Sequence, residues 1–186
     1  MSKLLENVQG WNNHRPLLWW ALKETKGQTE PVLELGCGEG STPHLIQYLK
    51  TDKRKLISYD YDKEWADKYS AIHVTDWDAI EHKNYSVILI DHSPGDRRHL
   101  DIIKLANKCD YMIIHDSEPE AYGYMLDKIW HLFPYRKNLK TIGAWATIVS
   151  TKHEIPEINI KGFTIELYNY SLLLTYWHST FLSQNY

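Results

Sequence analysis

Val32-Leu33-Glu34-Leu35-Gly36-Cys37-Gly38-Glu39-Gly40-Ser41-Thr42 runs from an apolar strand ending in a carboxylate, through three alternating glycines, into a segment that opens with Pro43. Glycine lets the backbone turn sharply and lie directly against a ligand, because no Cβ intervenes. Proline is well suited to the first turn of a helix, behind Ser41 or Thr42 as cap. A strand, a glycine loop and a helix in that order form the first unit of a nucleotide-binding α/β sheet.

The spacing narrows the choice of nucleotide. A dinucleotide fingerprint, Gly-x-Gly-x-x-Gly, would place its third glycine where Ser41 stands, whereas here it falls at Gly40. A phosphate cradle would carry a Lys-Ser or Lys-Thr pair after the loop, and this one does not. Glu34 would repel a pyrophosphate and attract an ammonium or sulfonium. S-adenosylmethionine carries both cations. Glu34-Leu35-Gly36-Cys37-Gly38-Glu39-Gly40 resembles motif I of the class I S-adenosylmethionine-dependent methyltransferases, acidic-x-Gly-x-Gly-x-Gly. The resemblance implies that Glu34, Gly36, Cys37, Gly38, Gly40 and Ser41 line the cofactor.

Further along, apolar runs alternate with amphipathic ones. Residues 3 to 25 read as helical, with Pro16 setting a short leading piece apart from the helix proper. Strands are expected at Pro31 to Leu35, Lys55 to Tyr59, Ala71 to Val74, Ser86 to Ile90 and Tyr111 to Ile114. Between them fall a helix from Pro43 with Leu45, Ile46 and Leu49 inward, and a short one around Lys63 to Tyr69 with Trp65 and Ala66 inward. Two more are expected over Asp96 to Asn107 and Pro119 to Leu132. Strands rich in Val, Ile and Leu between helices imply a parallel sheet buried on both faces. Tyr135 to Thr141 and Ala144 to Thr151 flank Ile142-Gly143, a hairpin signal that breaks the alternation. The expected fold is α/β, a Rossmann-like doubly wound, mostly parallel seven-stranded sheet ending in an antiparallel hairpin. Such an ending again resembles the methyltransferase fold, over residues 15 to 151. Residues 1–151 are therefore expected to form the cofactor-binding domain with an N-terminal helix, and residues 152–186 an extension serving as lid or interface.

Ligands of open α/β sheets bind at the carboxyl ends of the strands, and all five predicted parallel strands end in or near an acid: Glu34, Asp60, Asp76, Asp91 and Asp116. A carboxylate at the position of Asp60 can accept both hydrogen bonds of a ribose diol, and Tyr61 beside it can pack on adenine. Asp76-Trp77 matches the place where the family contacts the adenine amine and face. The segments around Asp91-His92 and His115-Asp116-Ser117 look like those of the metal-dependent catechol and caffeoyl-CoA O-methyltransferases. That resemblance implies magnesium held by Asp91 and Asp116, with Asp91 also on the cofactor side. Ser117 departs from it, standing where the family has Asn, and the family's lysine base is missing from Ser93-Pro94-Gly95. His92 is the nearest candidate base, expected on the loop over the transfer site. His115 alternates inward as a core histidine, and Arg97 and Arg98 read as a solvated helix start.

A net charge of −3 over 186 residues argues against a broad nucleic-acid-binding face. Two cysteines, Cys37 and Cys109, are too few for a disulfide framework and fit a reducing cytoplasm. No apolar run reaches the length of a membrane span. Eight Trp and thirteen Tyr against three Phe suit a stacking pocket or a subunit interface, with ordinary core and boundary packing expected for most of them; the extension after Thr151 leaves room for a homodimer. The expected function is transfer of a methyl group from S-adenosylmethionine to an oxygen of a small-molecule acceptor, with nucleic acid unlikely as a partner. The alternatives are an aminopropyltransferase-like enzyme and a non-catalytic binding module on the same fold.

Overall fold

The structure, a computed structural model, describes residues 12–119, 123–141, 144–158 and 165–166. The expected helix before residue 12 and most of the C-terminal extension lie outside these residues. Parallel strands β1 (Val32–Leu35), β2 (Leu56–Asp60), β3 (Ile72–His73), β4 (Val87–Ile90) and β5 (Tyr111–His115) are joined to the antiparallel pair β6 (Tyr135–Lys140) and β7 (Trp145–Ser150). The order is β3-β2-β1-β4-β5-β7-β6, with a two-residue β8 (Ile165–Glu166) antiparallel to β6. The expected seven-stranded sheet and its closing hairpin are thus present, and β8 extends its edge.

Alternation along the strands sends successive side chains to opposite faces. Leu33, Leu35, Ile88, Ile90, Met112 and Ile114 pack on one face with Ile102 and Leu105 of α4 (Arg98–Leu105). Val32, Val87, Leu89, Tyr111 and Ile113 pack on the other with Leu17, Leu18, Ala21 and Leu22 of α1 (Arg15–Glu24). Leu45 and Leu49 of α2 (Thr42–Asp52) join the same layer. Each fully buried Leu or Ile stabilises the fold by about 1.5–3 kcal/mol. Because β1 alternates, Glu34 follows Val32 to the α1–α2 face.

The structure corrects four local expectations. Residues Pro119 to Leu132 do not form one helix: the described part holds 3-10 turns at Leu126–Lys128 and Trp130–Leu132. Gly123 and Met125 both adopt positive φ, +73° and +55°, which a right-handed helix excludes. Ile46 and Trp65, expected inward, are each 38 % exposed. Trp65 instead stacks on Tyr69 within α3 (Lys63–Tyr69), their centroids 5.7 Å apart, while Ala66 alone of that helix is buried. Arg98, expected in solvent, is 4 % exposed.

Candidate functional site

The glycine loop leaves β1 and turns at Gly36, whose φ of +91° favours glycine. A Cβ there would lie 2.5 Å from the Asp91 carbonyl oxygen, so the loop is wedged against the tip of β4. Glu34 is fully buried and accepts hydrogen bonds from the hydroxyls of Ser41 (2.5 Å), Thr42 (3.0 Å) and Ser58 (2.6 Å). Burial raises its carboxyl to about 7, and the three hydroxyls pull only partly the other way. Glu34 therefore clasps the loop and the start of α2 to the sheet. Ser41 stands at the N-cap of α2 without capping it through its side chain, because its hydroxyl is spent on Glu34.

Asp60 lies where the sequence placed it, at the tip of β2. One carboxylate oxygen accepts the Cys37 N–H at 2.6 Å and the other the Asp62 N–H at 2.8 Å. Each oxygen retains a lone pair for a further donor. Gly38 N–H donates to the Thr42 hydroxyl at 2.9 Å, and a Cβ on Gly38 would meet no atom nearer than 3.9 Å. The loop is therefore open at Gly38. Burial pushes the Cys37 thiol up, with Glu34 and Asp60 adding to it, which keeps it un-ionised. Tyr61 is 53 % exposed beside Asp60. Asp76 caps the Trp77–Ala79 turn by accepting the Asp78 N–H at 2.9 Å.

Two expected site residues are placed differently. Trp77 is 4 % exposed, donates its indole N–H to the Ser93 carbonyl at 3.0 Å, and packs on the His92 ring at 4.3 Å. His92 is fully buried, its Nε2 3.0 Å from Asp101. It follows Ile90 to the α4 face instead of lying over the mouth, and burial holds its imidazole below the usual range despite Asp101.

At the tips of β4 and β5 the structure gathers Asp91, His115 and Asp116 around a cation that sequence reasoning left in solvent. Arg98 reaches Asp91 at 3.2 Å and Asp116 at 3.5 Å, and donates to the backbone carbonyls of His92 (2.8 Å) and His115 (3.1 Å). Its guanidinium lies 4.6 Å over the Tyr124 ring. His115 Nδ1 lies 3.1 Å from Asp91 and 3.1 Å from Asp116. Burial opposes a charge on that imidazole, yet the two carboxylates prevail and hold it up at about 10. Asp91 is correspondingly held below the usual carboxylate range, His115 and Arg98 outweighing the cost of burial. The Asp91 and Asp116 side chains remain 26 % and 15 % exposed. The Tyr124 ring under Arg98 also lines a cleft of about 230 Å³ with Glu118, Pro119, Leu126 and Asp127.

The start of α1 belongs to this region too, which sequence reading missed. Asn13 donates to the Ala144 carbonyl at 2.7 Å, His14 stands edge-on to His115 with centroids 5.0 Å apart, and Arg15 Nε donates to the Gly40 carbonyl at 2.6 Å. The one available signal was the polar run Asn13-His14-Arg15 directly before Pro16.

These surroundings do not fit magnesium at Asp91 and Asp116. Magnesium asks for an oxygen-rich octahedral cage, whereas both carboxylates already face Arg98 and His115. The Ser117 hydroxyl, in the place of the family's Asn, is bonded to Thr147 at 2.7 Å.

Neither a protein-family model nor a curated protein matches the chain. Solved structures do. The human methyltransferase 10 domain containing protein matches at 11 % identity with a TM-score of 0.51, over 78 % of this chain and 84 % of its own. The delta-N METTL16 MTase domain matches at 10 % identity and 0.52, over 76 % and 83 %. The N-terminal domain of human METTL16 in complex with SAH matches at 12 % and 0.50, over 74 % and 69 %. The chain has the fold of these class I S-adenosylmethionine methyltransferase domains; the narrower catechol and caffeoyl-CoA likeness is not what they show. The expectation of a small-molecule acceptor, with nucleic acid unlikely, is corrected. The similar structures include the hMettl16 catalytic domain in complex with the MAT2A 3'UTR hairpin 1. Net charge averages over the whole surface, while a nucleic acid meets only one face, so it does not decide this partner. Among the described residues no helix is long and apolar enough to cross a membrane.

Proposed function

We propose that this chain binds S-adenosylmethionine at the Gly36–Gly40 loop and transfers its methyl group to a nucleic-acid acceptor. The observation that carries the reading is the pairing of the wedged loop, open at Gly38, with the Asp60 carboxylate at the neighbouring strand tip. Asp60 would take the ribose hydroxyls on its remaining lone pairs, and Tyr61 would cover the base. The reaction is an in-line displacement at the sulfonium methyl, in which positioning supplies most of the acceleration. Asp91 and Asp116, partly open at the mouth, would hold the acceptor's hydrogen. His92 acts at one remove, through the Asp101 pair and its packing on Trp77.

The acceptor class rests on the METTL16 comparison and on surface chemistry near the hairpin. Arg136 lies 4.4 Å over Trp130 and Lys140 4.3 Å over Trp145. Such cation–aromatic pairs offer a phosphate backbone charge and a base a stacking surface. Calorimetry with S-adenosylhomocysteine should show one site per chain, with affinity lost at least tenfold in Asp60→Ala. Tritium transfer from labelled cofactor should then appear on RNA or DNA pools and be absent from small hydroxylated acceptors. No binding by the folded chain ends the cofactor reading; binding with no transfer to any pool favours the non-catalytic module.

A further inference from the structure

We infer that His14, Asp91 and His115 form a binding site for a borderline divalent transition metal of the zinc class. The three come from separate parts of the chain: the residue before α1, the residue after β4 and the last residue of β5. Strand alternation brings them together, since Asp91 continues the Val87–Leu89 side of β4 and His115 the Tyr111–Ile113 side of β5, the face on which α1 packs. One ligand atom from each lies within 4.8 Å of the others.

The second observation is independent of that clustering. His14 is 1 % exposed, and neither of its ring nitrogens meets a hydrogen-bond partner among the described residues; His115 Nε2 is likewise unpartnered. Burying a polar nitrogen without a partner is unfavourable, because its bond to water is lost and not replaced. The chain carries this cost at three nitrogens of two rings whose centroids lie 5.0 Å apart. A cation bound there would remove it.

The donor set selects the ion. Two imidazoles and one carboxylate suit zinc or a neighbouring first-row divalent ion, not magnesium. Tetrahedral zinc with bonds of about 2.0–2.1 Å holds its ligands roughly 3.3 Å apart, so the ligand atoms, now within 4.8 Å of one another, would close by up to about 1.5 Å. Zinc bound there would displace the proton that His115 holds between Asp91 and Asp116, one cation replacing another, while Arg98 stays paired with the carboxylates. Asp116, 3.1 Å from His115 Nδ1, would orient that imidazole or fill a further ligand position.

The test needs no cofactor, so its outcome is separate from that of the methyl-transfer reading. The full chain, stripped with chelator, is titrated calorimetrically at pH 7.5 with zinc and, separately, with magnesium. One zinc per chain is expected, with magnesium silent. His14→Phe, which keeps the ring volume and removes the donor, should weaken zinc at least tenfold, while His82→Ala on the surface leaves it unchanged. No stoichiometric zinc, or full affinity in folded His14→Phe, overturns the site. Should that variant not fold, X-ray absorption on the zinc-loaded wild type decides: two imidazoles in the coordination shell support the site, and fewer than two overturn it.

Discussion

Glu34 shows how one residue can be read correctly in place and differently in work. Its position at the end of β1 was legible, but the carboxyl turns into the sheet and takes three hydroxyls. Its folded value near 7 lies above the ordinary 4.5, so the folded state holds the proton more tightly than the unfolded chain. Its stabilisation is complete below about pH 4.5 and falls away as pH rises through about 7, by on the order of 3 kcal/mol in all. Denaturant unfolding of wild type and Glu34→Gln should therefore diverge between pH 5 and pH 8, the wild type losing about 2–3 kcal/mol relative to the variant. A difference that stays constant across that range would remove the assigned burial effect. Gly36 was equally legible, because only glycine combines a positive φ with an approach to the Asp91 backbone. His92 and Trp77 were not, since a residue beyond a strand end carries no sign of whether it turns to the mouth or to the core.

At the scale of elements, the layers are tied by buried cations that composition alone reads as surface. Arg54, 5 % exposed, pairs with Asp52 at the end of α2 and donates to Thr25 (2.7 Å), Ser86 (2.9 Å) and the Leu22 carbonyl (2.9 Å). It joins the ends of α1 and α2 to the approach to β4. Arg54→Met should cost about 3–5 kcal/mol, because it strands the buried Asp52 carboxylate. Arg54→Met combined with Asp52→Asn should recover part of that loss; a double variant as unstable as the sum of both single ones would deny the coupling. Arg98 plays the corresponding part on the other face, between α4 and the tips of β4 and β5. The segment from Pro119 to Leu132 had helical spacing, yet the backbone at Gly123 and Met125 imposes turns instead. Spacing reports which faces are apolar, not whether the chain can stay in one helix between them.

For the whole molecule, cofactor binding should act as a single linkage on a single core. Saturation with S-adenosylhomocysteine at about a hundred times its dissociation constant adds roughly 2.7 kcal/mol of stability. For a chain of this size that raises the thermal midpoint by about 5–10 °C. Differential scanning fluorimetry should show this in the wild type and not in Asp60→Ala; equal shifts in both would place the ligand elsewhere. The sequence by itself determined the five parallel strands, the helices between them, the closing hairpin, the glycine turn and the carboxylate at the tip of β2. Those depend on local periodicity and on backbone freedom, which each residue carries with it. Only the tertiary structure decided that Glu34 faces inward, that His92 is sealed against Asp101, and that His14 from before the first helix meets Asp91 and His115. Those are encounters between segments distant in the chain, fixed by which face of the sheet each helix covers, and no single segment encodes them.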